Sequence, residues 1–313
     1  MNYILMMSNK TFLLALLVCF LPLNEVEAIQ PTGHCDQGVG YEEVMNAGLE
    51  AFYRTRWETA EACFERLHRL NSLDPRGLFF SSMIPFWNYY FAGREPEIAD
   101  HFMEQSERAI LLAEERLEER DEDLYLISLL SALYGYQSLV ASEEGRIRRA
   151  LQSGRTGYKY TQQILAMKDD RPELEIGRGI FHYMIGSIPG SLRWLVSLFG
   201  LNGSREEGLD HLERAAGSNS YVRFDAMMVL SRIYAKEEKY ELAQDYAEKL
   251  VRERDENIIF QYLYADLLKT NGQETEALVV YRKIAEMEPG RLGLLVERSL
   301  NRIEEIQKDL SYR

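Results

Sequence analysis

Phe224–Asn257 and Ile258–Arg291 repeat one another at a spacing of 34 residues, and a period of that length admits few architectures. Ala243 maps onto Ala277, Ala247 onto Tyr281, Leu250 onto Ile284, and Asp255 onto Pro289. Small residues recur where two helices must cross, and larger apolar ones recur a turn away. One such unit holds a helix pair that cannot bury its apolar face alone. Successive units therefore stack into a continuous core.

With Phe224 as the first position, Ser231 is the small eighth residue and Tyr234 the aromatic eleventh. Tyr240, Ala243, Ala247 and Leu250 follow where the second helix packs onto the first. Ala265, Leu268, Ala277, Tyr281, Ile284 and the closing Pro289 serve the next unit, the proline stopping a helix because it lacks an N–H. An earlier unit lies between Tyr41 and Pro75, with Gly48, Trp57, Ala60, Phe64 and Leu67 in register. These residues resemble the tetratricopeptide-repeat (TPR) superfamily. The resemblance implies an all-α fold, a right-handed α-solenoid of stacked antiparallel helix pairs with a concave binding face. Scaffolds of this kind bind partners and seldom do chemistry.

The 313-residue chain is 46% hydrophobic and 27% charged, which favours a large core over disorder. Its formal charge of −14 repels phosphate backbones, so nucleic acid is not an expected partner. The N-terminus reads as a signal peptide. Lys10 precedes the apolar run Thr11–Leu23, and Val26-Glu27-Ala28 offers a small-residue cleavage site. Three segments are expected: residues 1–28 as signal peptide, 29–217 as a divergent helical-repeat region, and 218–313 as TPR units with a capping helix. The mature chain would be exported, to the periplasm or the medium. There, Cys35 and Cys63 either pair or leave Cys63 as a small buried hydrophobe.

Helical periodicity runs nearly throughout. Residues 77–92 read as an aromatic-rich helix ended by Gly93, and 95–120 as a long amphipathic one. Asp121 or Asp123 caps the next helix, and another covers about 144–167. A polar-faced helix from about Arg291 fits a solubilising cap. Residues 177–217 combine a glycine-rich apolar helix, Pro189-Gly190, a turn at Asn202-Gly203-Ser204 and a helix with Gly208 and Leu209. This stretch resembles the central region of the eukaryotic TPR family linked to inclusion-body clearance. That family lacks a signal peptide, so only its architecture is carried over. Residues 180–201 are apolar enough to suggest membrane contact, but Pro189-Gly190 leaves halves too short to span ~30 Å. A buried helical hairpin is favoured.

No catalytic, cofactor or metal motif stands out, and no cofactor is expected. His34, His68, His101, His182 and His211 are scattered, without metal-site spacing. In a TPR stack the fifth and ninth positions of each first helix, with those near its end, line the groove. They are Met228, Arg232 and Lys236 in one unit and Tyr262, Asp266 and Lys269 in the next. The family's carboxylate clamp needs Lys and Asn where Met228 and Arg232 stand, so chaperone-tail binding is not implied. Arg232, Lys236 and Lys269 form either a basic strip for an acidic peptide or ordinary solvated charges. The expected function is an exported, non-enzymatic scaffold holding a protein or peptide in its groove. The alternative is a small-molecule or lipid-binding accessory of a transport system, with a pocket among Phe79, Phe86, Trp87, Phe181, Trp194 and Phe199.

Overall fold

A computed structural model describes residues 35, 40–120, 123–169, 171–192 and 202–311. Among these residues the chain forms thirteen α-helices and no strands. The helices are α1 (Tyr41–Tyr53), α2 (Trp57–Leu70), α3 (Arg76–Trp87), α4 (Pro96–Glu119), α5 (Leu124–Glu143), α6 (Ile147–Ala166) and α7 (Pro172–Gly186). They continue as α8 (Arg205–Ala216), α9 (Val222–Lys236), α10 (Tyr240–Glu253), α11 (Ile258–Thr270), α12 (Glu274–Ala285) and α13 (Gly293–Ser311). Each helix packs on its successor, giving the expected all-α solenoid of helix pairs. The expected signal peptide, and residues 193–201 of the expected hairpin with Trp194 and Phe199, lie outside the described residues.

The two repeats show why the 34-residue period exists. In α9–α10 the Ser231 hydroxyl donates to the carbonyl of Ala243 at 2.8 Å, so the helices cross where neither carries a bulky side chain. The chain reverses through Glu238 at φ 60°, and Lys239 N–H bonds back to the Tyr234 carbonyl at 2.9 Å. Gly272 (φ 78°) and the bond from Gln273 to Leu268 repeat that turn one period later.

A further unit is hidden in the divergent region. Ser138 donates to the carbonyl of Ala150 at 2.8 Å, with the same twelve-residue separation as Ser231 and Ala243. Gly145 (φ 68°) and the bond from Arg146 to Ala141 make the same turn. Thus α5–α6 is a TPR-type hairpin with helices extended to 20 residues each. Asp123, one of the two expected caps, accepts from the N–H groups of Tyr125 and Leu126. Helix α5 is long and apolar enough to cross a membrane, but 83% of its apolar window is buried inside the stack. The aromatic helix expected over 77–92 is α3 continued by a π-helical turn, Asn88–Ala92, ending at Gly93 as expected. Pro85 lies within α3, a setting in which the regular backbone ladder is interrupted.

The array closes on itself. The Tyr53 hydroxyl donates to Asp225 Oδ2 at 2.7 Å, and Asn257 Nδ2 donates to the Tyr53 carbonyl at 2.8 Å. Asn257 also caps α11 by accepting from Phe260 N–H, and it is fully buried. Arg254 pairs with Glu50, Arg54 and Arg56 with Glu256, and Arg291 with Glu58 and Glu61. Trp87 meets Phe52 at 4.9 Å and Phe260 at 6.2 Å between ring centroids, which carries one aromatic core across the seam. Cys35 and Cys63 form a disulfide, with Cα atoms 5.5 Å apart and a sequence separation of 28. A loop of that length constrains the unfolded chain by about 3.5 kcal/mol.

Candidate functional site

Two places gather polar side chains against an apolar background. The first is the groove of the C-terminal repeats, where helix register placed the partner-binding residues. The chain occupies much of this groove itself. Met228 and Tyr262 are buried, and Asp266 is 5% exposed. Helix α13 covers the second unit, with Arg302 at 3.7 Å from Asp266 and the Tyr281 hydroxyl 3.4 Å from the same carboxylate. Lys269 pairs with Glu305 of α13 at 2.8 Å. The guanidinium of Arg232 lies 5.8 Å from the ring centroid of Phe91, in the π-helical turn. Lys236 is exposed.

The expectation that all six positions face an open groove therefore needs correction. Met228, Tyr262 and Asp266 are buried, the last two beside Arg302 of α13, and Arg232 lies against the π-helical turn. Burial pushes the Asp266 carboxyl up, against the opposing pull of Arg302 and Lys269. Glu305 is held down to about 2 by its hydrogen bonds to Lys269 and Arg302. The basic strip thus already holds one carboxylate, from the chain's own last helix. Two of the aromatic rings expected to line a ligand pocket pack against other core rings: Phe86 lies 4.2 Å from Tyr136 and 5.4 Å from Phe102, and Phe181 stacks 6.1 Å from Tyr158.

The second place is a cleft of about 660 Å³ between α7, α8 and the end of α6. Its geometry follows from two glycines. A Cβ on Gly179 would lie 2.8 Å from the Gly208 carbonyl oxygen, and one on Gly208 would lie 2.3 Å from the Tyr183 nitrogen. The two backbones approach as closely as bare glycine permits, so side chains one turn away are forced together. His182 lies three residues beyond Gly179, and Glu207 and His211 flank Gly208 on one face of α8. His182 Nδ1 stands 3.1 Å from Glu207 Oε2, and the two imidazoles stack 5.5 Å apart. One ligand atom from each of the three lies within 4.8 Å of the others.

The floor of this cleft is a buried ion network. Glu175, 3% exposed, faces His211 Nδ1 at 2.9 Å and accepts from Arg214 Nε at 2.6 Å. Its other oxygen meets Arg178 Nη1 at 3.1 Å, and Arg178 donates to the Met167 carbonyl at 2.7 Å, capping the end of α6. Burial pushes the Glu175 carboxyl up, but His211 and Arg214 together hold it below its ordinary value. Burial pushes the pKa of the His182 imidazole down, with the Glu207 carboxylate opposing it. Scattered in sequence, these histidines show no metal spacing. Only the i, i+4 relation of Glu207 and His211 was readable, and the fold supplies His182.

The comparisons fall on this same segment. No curated protein matches the chain. Residues 173–236 match the family described as Iml2/Tetratricopeptide repeat protein 39, and the stretch singled out at 177–217 lies inside that match. A TPR-type family is generally non-enzymatic and mediates protein interactions. From the start of α7 to the end of α9, the central segment of this solenoid carries a likeness to the Iml2/Tetratricopeptide repeat protein 39 family.

Proposed function

We propose that this chain is an exported, non-enzymatic TPR-type scaffold that holds an acidic segment of a protein partner along the rim of its C-terminal groove. The observation that carries the reading is Glu305. This exposed carboxylate from the last helix sits on Lys269 and Arg302, the position where an acidic partner side chain would bind. A partner displaces Glu305 and extends to the exposed Lys236 at the end of α9, while the filled part of the groove serves as a rigid base. Pre-formed helices spare the ordering cost that a flexible binder would meet. Two features support export: the apolar run 11–23 ahead of Val26-Glu27-Ala28, and a disulfide of the sort that persists in oxidising compartments.

The test is a crosslinked pull-down of tagged mature protein from its native envelope fraction, beside E305Q and the double variant K236E/K269E. One or two enriched proteins, captured more strongly by E305Q and lost with K236E/K269E, support the proposal. Equal capture by all three forms removes the rim from consideration. Two alkylatable thiols in the unreduced native protein would count against export.

A further inference from the structure

We infer that His182, Glu207 and His211 form a binding site for a divalent transition ion of the Zn²⁺ class. The inference is independent of the partner reading above, since it concerns the cleft between α7 and α8. Two imidazoles and one carboxylate are a donor set that such ions favour over the alkaline earths, which prefer oxygen alone. Tetrahedral bonds of 2.0–2.1 Å place donor atoms about 3.3 Å apart. The His182–Glu207 separation of 3.1 Å already meets that edge. His211, within 4.8 Å of both, closes the set by a turn of its ring.

Two further observations point to an ion. His182 Nδ1 is shielded from solvent and makes no hydrogen bond, although a carboxylate oxygen stands 3.1 Å away. An ion between them would satisfy both. His211 turns its Nδ1 toward the buried Glu175, with Arg214 Nη2 at 2.6 Å from the same nitrogen, so both neighbours orient the ring and Nε2 is left for the metal. Arg178 and Arg214 add positive charge nearby, but Glu175 engages both of them, and Arg214 also pairs with Asp210. The cleft leaves room for water or an anionic group as a fourth ligand. Bound there, the ion would tie α7 to α8 across the connection between them.

Tag-free, EDTA-stripped mature protein is titrated with Zn²⁺ by calorimetry and with Co²⁺ by visible absorption. Both are repeated for H182Q, E207Q, H211Q and E175Q, with H101Q as control. The expected result is saturable one-to-one binding, a Co²⁺ spectrum of a four-coordinate N/O site, and a higher Tm with metal. Each ligand variant should lose binding by about 100-fold or more, and E175Q by about 10- to 100-fold, while H101Q is unchanged. The Glu207 side chain is 52% exposed, so E207Q keeps the fold and the test stands even where a histidine variant does not. No saturable binding to the parent protein, or unchanged affinity in E207Q, overturns the inference.

Discussion

The hairpins α9–α10 and α7–α8 are built from helices of similar length, yet they meet in different ways. In α9–α10 the contact is made by small side chains, Ser231 against Ala243, and the turn between the helices is three residues long. In α7–α8 it is made by backbone, at Gly179 and Gly208, and the connection runs from Ser187 to Ser204. The first arrangement repeats easily, because any small residue serves. The second does not repeat, but it draws the flanking polar side chains into one cleft. Close packing at one position thereby becomes convergence of functional groups at the next.

The sharpest way to break the comparison is to put a side chain where only glycine fits. Gly208→Val should destabilise by more than about 3 kcal/mol, because the new Cβ would press on the backbone of Tyr183. The corresponding change in the regular hairpin, Ala243→Gly, should cost only about 1 kcal/mol, the ordinary penalty of glycine within a helix. Urea denaturation of both variants measures the contrast; similar losses would mean that the two interfaces are alike after all.

A smaller effect is expected at the seam that joins the regular repeats to α1. Asn257→Ala removes both the α11 cap and the bond to the Tyr53 carbonyl, for about 2 kcal/mol. Thermal unfolding checks it, and a loss below about 0.5 kcal/mol would show that the seam contributes little.

The smallest effect depends on pH. Burial pushes the Asp225 carboxyl up to about 7, the Tyr53 hydrogen bond opposing it only in part. A carboxyl raised in the folded state stays protonated there while the unfolded chain has already ionised. Its contribution is therefore full below about pH 4 and falls as pH rises toward 7. Wild type should lose about 1–2 kcal/mol between pH 5 and pH 8 through this group, a figure that allows for its partial exposure. Asp225→Asn should lack that decline. Parallel pH profiles for the two proteins would remove Asp225 from the account.

Much of the fold was legible because repeat positions carry packing constraints at fixed spacing. Ser231, Ala243, Ala277 and Tyr281 all sit at helix crossings, so the 34-residue period reports the stacking directly. The α5–α6 helices were readable, but as a repeat unit they are masked because their greater length shifts the period. Its signal was nonetheless present: two small residues twelve apart, Ser138 and Ala150, with Gly145 between them. The cleft was less legible. His182 and His211 come together only through a long connection and a glycine contact, and neither leaves a periodic trace. The closure of the array was least legible, since it depends on partners such as Tyr53 and Asn257, 204 residues apart.

That last separation has a kinetic consequence. An open solenoid can nucleate anywhere and propagate from neighbour to neighbour, and its stability is roughly a sum of local terms. Here the first hairpin finds its resting place only on residues near the other end. Contacts of such high order are slow to form, because a loop of most of the chain must close before they yield anything. A chain made or threaded N-terminus first would thus hold Tyr53 and Trp87 uncovered until Asn257 and Phe260 arrive. The last-made repeats act as the latch of the whole molecule.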